Sequence, residues 1–292
     1  MTRDMDRAEL HLFDALAWRL GRIQPGLREG RYRGRMRGSG EAFADVADFL
    51  AHPDPRRLDL RRSLVDPFGG FFVRRFERQT DLVLHILLDA SASLGVGASS
   101  DRQGLAALVS GGLAQAARRG GDKAALHVVG ASGGLVHAPP SRQAGLGDDI
   151  RAMVLGCVPA GQGVEELARV ASGLPLRRNL VALVSDFDLA PVELDRLLAA
   201  LAPRPVVPVW LRDSGLETPS GRLGLSEIRD PETGRRRTVL TSPGWAARHI
   251  EEGENHRGKL RRVFATHGLR AVEIRDSIDI DHLIAALGEA PL

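Results

Sequence analysis

Asp89, Ala90, Ser91, Ala92 and Ser93 follow directly on the apolar run LVLHILL, residues 82–88. Alternate positions of this stretch thus carry a carboxylate and two hydroxyls. Three chemistries suit that pattern. Serine and aspartate after a strand can cap the next helix by accepting from its free amides. An aspartate at a strand end can attack as a nucleophile, but phosphatases of that kind place a second acid two positions on, and here that position is Ser91. Hard divalent cations take oxygen ligands, and magnesium keeps several waters while taking one or two carboxylates from protein. A second carboxylate stands behind another apolar run in NLVALVSDFD, where Asp186 occupies the equivalent place and Asp188 is the alternative. A serine hydrolase would need a base, yet His85 lies within the strand before Asp89 and no G-x-S-x-G elbow occurs. A hydrolase using Asp89 is therefore only a third reading, after a metal site and after a metal-free scaffold that binds a partner by its surface alone.

These residues can meet only if the elements around them build the right sheet. Apolar runs at 82–88, 124–129, 180–184, 206–211 and 269–274 read as strands. Helical stretches at 102–119, 147–155, 164–172, 191–202 and 245–267 separate most of them, and 279–287 closes the chain as a helix. Such alternation predicts an α/β fold, a doubly wound and mostly parallel sheet covered on both faces. GASGG at Gly130 to Gly134 predicts a hairpin and hence one antiparallel edge strand, and DPETG at Asp230 to Gly234 a second hairpin. In such a sheet ligands bind beyond the carboxyl ends of the strands, where Asp89 and Asp186 both fall. This domain is expected over 80–292, preceded by an N-terminal helical and irregular arm over 1–79. In that arm Leu10, Leu12, Phe13, Leu16, Ala17 and Leu20 repeat at helical spacing, Arg22 to Arg37 is basic and glycine-rich irregular chain, and 38–79 holds short strands and turns.

Composition narrows the partners. The 292 residues, 43% hydrophobic, suffice for a full core, and 40 basic against 37 acidic residues give little net charge with which to hold a polyelectrolyte. No nucleic-acid partner is expected, and the arginines of RRFER (Arg74, Arg75, Arg78) read as solvated. Glycine pairs occur without a G-x-G-x-x-G or Walker lysine motif, so any ATP would belong to a partner. One cysteine, Cys157, allows no internal disulfide. No run approaches the length of a membrane span and residues 1–20 lack a signal-peptide layout, so a cytoplasmic protein is expected.

The D-x-S-x-S pattern after one strand, with Ser-Asp ending another about a hundred residues on, resembles the von Willebrand factor A domain and its metal-ion-dependent adhesion site. Upstream, GRMRGSGEAFADVADFLAHPDPRRLDLRRS and VRRFERQTDLVLHILLDASAS, and downstream DSGLETPSGRLGLSEIRDPETG, resemble the bacterial DUF58 family. The resemblance implies a non-catalytic magnesium site, with manganese or calcium as alternatives, built by Asp89, Ser91, Ser93 and Asp186. Where such domains place a threonine ligand this chain reads PAGQGVEEL, which leaves Gln162 or a water for that role. The family's D-D-x-R-x-I-D-W segment is DPRRLDL here, with Leu60 in place of tryptophan, so no role is carried to Asp54 or Asp59. The resemblance further implies a protein partner that offers an acidic residue to the metal, and work beside a MoxR-type AAA+ ATPase in maturing or remodelling a protein complex.

Overall fold

The computed structural model describes residues 10, 13, 36–38, 42–50, 55–78, 82–161, 163–176, 178–279, 281, 283 and 285. The backbone divides into two compact units, residues 26–81 and residues 1–25 with 82–292.

The smaller unit is a three-stranded antiparallel sheet with helix α1 beside it. Its elements are β1 (Met36–Gly38), β2 (Ala42–Asp48), α1 (Leu60–Val65) and β3 (Phe72–Arg78), and β3 lies between the other strands. Met36 and Arg37 fall in β1 instead of irregular chain, because pairing with Arg78 and Glu77 of β3 gives their backbone a ladder that composition alone does not reveal. Asp59 caps α1, accepting from the Arg62 amide at 3.2 Å, and its other oxygen takes the Arg74 guanidinium at 2.9 Å.

The larger unit holds a six-stranded sheet of β4 (Val83–Asp89), β5 (Lys123–Val129), β6 (Val136–Ser141), β7 (Asn179–Ser185), β8 (Val206–Arg212) and, later in the chain, β11 (Val272–Arg275). The strand order is β11-β8-β7-β4-β5-β6. All neighbours are parallel except β5 and β6, so the sheet is mostly parallel with one antiparallel edge, as expected. Pro139 and Pro140 lie in β6, an edge where a missing amide donor costs little. Helices α2 (Arg102–Arg119) and α3 (Leu146–Gly156) cover one face. Helices α4 (Val164–Gly173), α5 (Pro191–Leu201) and α7 (Pro243–Thr266) cover the other, after the one-turn α6 (Ser214–Glu217). Hence every residue of β7 is buried: Leu180, Ala182 and Val184 join the first core, Val181 and Leu183 the second. The hairpin β9 (Gly224–Arg229) and β10 (Arg236–Thr241) forms a separate two-stranded ribbon.

Small residues let α2 sink into the first core. A Cβ on Gly111 would lie 2.7 Å from the Gly147 carbonyl of α3, and one on Gly112 would enter the Phe13 ring. Of the predicted N-terminal helix, only Leu10 and Phe13 are described, both buried. Leu12, Leu16, Ala17, Leu20 and residues 22–35 lie outside the described residues, as do 280, 282, 284 and 286–287 of the closing helix.

A polar row crosses the second face. The Asn179 amide donates to the Pro175 carbonyl, which turns its Oδ1 toward His85 Nε2 at 3.2 Å. His85 Nε2 therefore donates, Nδ1 accepts, and His127 Nε2 donates to it across 3.1 Å. Burial holds both imidazoles below the ordinary range, His127 at about 4. The nearby charges, Arg204 and His137 for His85 and the neighbouring histidines for His127, act in the same direction. Both rings stay neutral in the folded chain and gain protons once unfolded. Stability is therefore full above about pH 6.5 and declines as pH drops toward the folded values. Urea midpoints measured across that window should fall with pH in the wild type and fall less steeply in His127→Gln; parallel slopes would contradict this account.

Candidate metal centre

Leu88 of β4 pairs with Val184 of β7, so the next residues outward, Asp89 and Ser185, share the carboxyl rim of the sheet. The chain runs from β4 to β5 on one side and reaches β7 on the other, which makes this rim the topological switch point of the fold. Ser185 Oγ donates to Asp89 Oδ2 at 2.9 Å and accepts the Phe187 amide at 2.8 Å. Asp89 Oδ1 accepts the Ser91 amide at 3.0 Å, and the Ser91 and Ser93 hydroxyls lie 3.1 Å apart. A third loop closes over the pair: the Ala160 amide donates to the Ala90 carbonyl, and the Ala92 amide to the Gly161 carbonyl. Gly163 must lack a side chain there, since a Cβ would sit 2.8 Å from Asp89 Oδ1.

Asp186 is aimed by a strained neighbour. Phe187 has a φ of 49°, in the left-handed region, at a cost on the order of 1–3 kcal/mol. The same backbone turn buries its ring against Trp210 and Phe264, at centroid distances of 5.8 and 5.2 Å, and Trp210 Nε1 donates to the Asp186 carbonyl at 2.8 Å. Asp186 Oδ2 then meets the buried Arg102 guanidinium at 2.7 Å. Arg102 also donates to the Val96 carbonyl at 2.7 Å and to the Ser93 carbonyl. It therefore joins the second carboxylate to the loop that carries the two serines.

The charge balance is uneven. Burial raises the Asp89 carboxyl to about 6, and the Asp186 charge pushes the same way, against the hydrogen bonds from Ser91 and Ser185. Burial also raises Asp186, although Arg102 opposes it. Among the described residues Asp89 thus accepts from neutral donors, whereas Asp186 has a cation of its own. Adjacent ligands on octahedral magnesium, at about 2.1 Å from the ion, stand roughly 3 Å apart, so the two serine hydroxyls are spaced as such a pair. Among the described residues no cluster of three His, Cys, Asp or Glu side chains is arranged for a metal. An ion here would rest on hydroxyls, carboxylates and water. Asp89, Ser91, Ser93 and Asp186 are all buried at this one rim. Gln162 lies outside the described residues, and Asp188 is exposed.

Four contributors escaped sequence reasoning. Arg102 reads as the first residue of a helix, and Ser185 as the end of a strand. Gly163 has an ordinary φ of −94°, so nothing local marks it. Asp213 did carry a signal, being an acid just behind a buried strand like Asp89 and Asp186. Burial would raise its carboxyl, but the amides of Ala98, Ser99, Leu216 and Ser100 hold it well below the usual range. Ala98 and Ser99 donate to it at 3.0 Å and Ser100 at 2.9 Å, which ties the loop after the serines to β8.

The rim belongs to a doubly wound α/β domain whose strand-end loops bring carboxylate and hydroxyl oxygens together. The chain is a member of the family described as Protein of unknown function DUF58, whose model matches residues 56–259. It is 60% identical over 105 residues, 36% of this chain and all of the relative, to an uncharacterized protein in the moxR 3' region of Paracoccus denitrificans. Two solved structures are similar at 14% identity. One is the conserved hypothetical protein BatB from Bacteroides thetaiotaomicron, with 71% of this chain and 96% of that one covered at a TM-score of 0.40. The other is an aerotolerance-related membrane protein from Bacteroides fragilis, with 71% and 97% covered at 0.41. The expectation of a cytoplasmic protein is corrected: the second of these similar structures is of a membrane protein, and the lack of a spanning run does not place a chain in the cytoplasm. Among the described residues no helix is long and apolar enough to cross a membrane.

Removing the guanidinium would leave Asp186 buried without its cation. Arg102→Met is expected to lower the unfolding free energy by about 3–5 kcal/mol, read by urea denaturation. Arg102→Lys should recover only part of it, since one ammonium cannot reach the carboxylate and both carbonyls in a planar fork. A loss under about 1 kcal/mol for the methionine variant would refute the role given to this pair.

Proposed function

We propose that this rim is a divalent-cation site through which the protein binds an acidic group of a partner, without turnover. The observation that carries this reading is the imbalance at Asp89, a buried carboxylate with hydrogen bonds from Ser91 and Ser185 and, among the described residues, no cation of its own. Magnesium is the ion whose chemistry fits best, because the donors are hard oxygens and include only two carboxylates. Ser91 and Ser93 would hold it directly, with Asp89 and Asp186 beside it. The bound ion would supply two positive charges. With the Arg102 guanidinium, these exceed the two carboxylates by one. That surplus favours an incoming Glu or Asp side chain, so recognition and neutralisation coincide. Both oxygens of Asp89 are already engaged, which suits an ion-holding carboxylate better than an attacking one, and phosphatase and esterase assays are expected to show no turnover.

The relative encoded in a moxR 3' region supports a MoxR-type AAA+ ATPase as the partner, with complex maturation or remodelling as the shared task. A second reading rests on Arg102, whose charge satisfies Asp186 without any metal: the domain would then be a scaffold that binds by its surface alone.

Thermal unfolding separates the two. Magnesium or manganese at a hundred-fold excess over its dissociation constant should raise the wild-type midpoint by about 5–10 °C and leave Asp89→Asn and Ser93→Ala unmoved. Retention of the MoxR-type ATPase on the immobilised chain should need the same ion and be lost in Asp89→Asn. No wild-type shift with either ion, together with ATPase binding that ignores Asp89→Asn, would establish the scaffold instead.

A further inference from the structure

We propose that the α1 surface of the smaller unit docks on an anionic lipid bilayer. Helix α1 is built inside out. Its polar Ser63 faces the unit, where Oγ donates to the Asp59 carbonyl at 2.8 Å and accepts the Phe72 amide at 2.9 Å. The apolar residues turn away: Leu60 is 63% exposed, Leu64 84% and Val65 77%, and no residue of the helix is buried. Leu60 and Leu64, four apart, share one face. The turn after α1 continues the pattern. The Asp66 side chain accepts the Gly70 amide at 2.7 Å and its carbonyl the Gly69 amide at 3.3 Å, a closed loop that leaves Phe68 94% exposed. Soluble surfaces seldom display so many large apolar side chains on so short a stretch.

Charge identifies what would cover them. Both acids of residues 55–74 are engaged internally, Asp59 by the helix cap and Arg74, Asp66 by its own turn. Arg61 and Arg62 are exposed on the same helix, the Arg62 guanidinium lying over the Phe72 ring, so the surface is apolar and positive. An acidic protein could match that charge, but it would also need a pocket for each protruding side chain. Phe68 and Leu64 stand out as knobs, and a bilayer accepts knobs without shape complementarity: apolar groups enter the acyl boundary while arginines meet lipid phosphates.

The test is co-sedimentation of the full chain with vesicles of phosphatidylcholine alone or mixed with phosphatidylglycerol. Binding is expected to the mixed vesicles only and should weaken with salt. The pairs Leu64→Asp with Phe68→Asp, and Arg61→Glu with Arg62→Glu, should each reduce it at least about tenfold. Leu225→Asp with Leu240→Asp, on the exposed face of the β9–β10 ribbon, should leave it unchanged. Circular dichroism would confirm folding, and the comparison of the two vesicles decides the matter even if a variant fails that check. Equal binding to both vesicles, no binding to either, unchanged binding by the α1 variants, or self-association that hides the surface would overturn the proposal.

Discussion

Two buried carboxylates stand at the switch point of the sheet, one of them held by a guanidinium that also grips the serine loop, and the rest of the rim is arranged around that constraint. Burying either charge is costly unless it is compensated. Asp186 is compensated by Arg102, which reaches back from the first turn of α2. Asp89 accepts from the Ser91 amide and the Ser185 hydroxyl, but burial and the Asp186 charge still raise its carboxyl to about 6. The close approach of Gly163, the strained φ of Phe187 and the anchoring of Ala98 to Ser100 by Asp213 all keep these groups in place. A rim so fixed keeps the spacing of its oxygens, which a loose loop could not do.

The sheet was legible because buried parallel strands read as continuous apolar runs, and the expected bounds of β4, β5, β7 and β8 differ from the observed ones by a residue or so. Glycines in GASGG and DPETG marked both hairpins, because tight turns need φ values that other residues resist; Gly130 has a φ of 85° and Gly234 of 69°. The four rim residues were legible for a related reason, since polar groups just behind an apolar run must stand at the edge of the sheet. Their electrical surroundings were not. Arg102 finds Asp186 across 84 positions of sequence, and nothing local to either residue announces it. Helix α1 defeats pattern reading differently: 38–79 reads as short strands and turns, yet 60–65 is a helix that turns half-buried Ser63 toward its unit and leaves Leu60, Leu64 and Val65 exposed. Composition also says nothing of compartment, since a chain without a spanning run can still work against a membrane.

Whether Arg102 replaces a metal or accompanies one depends on where its fork is committed. A guanidinium standing in for an ion would have to answer both carboxylates and both serine hydroxyls. Here three of its bonds go to Asp186 Oδ2, the Val96 carbonyl and the Ser93 carbonyl, which are one carboxylate and two backbone groups. Its role in the geometry is therefore to hold the serine loop against Asp186, and the hydroxyls and Asp89 are left to other partners. It also changes the sign of the problem. Two carboxylates and a dication would close to neutrality, whereas the added guanidinium would leave one positive charge. A rim balanced in that way gains by taking up an anion from outside, and a carboxylate on a neighbouring protein is such an anion.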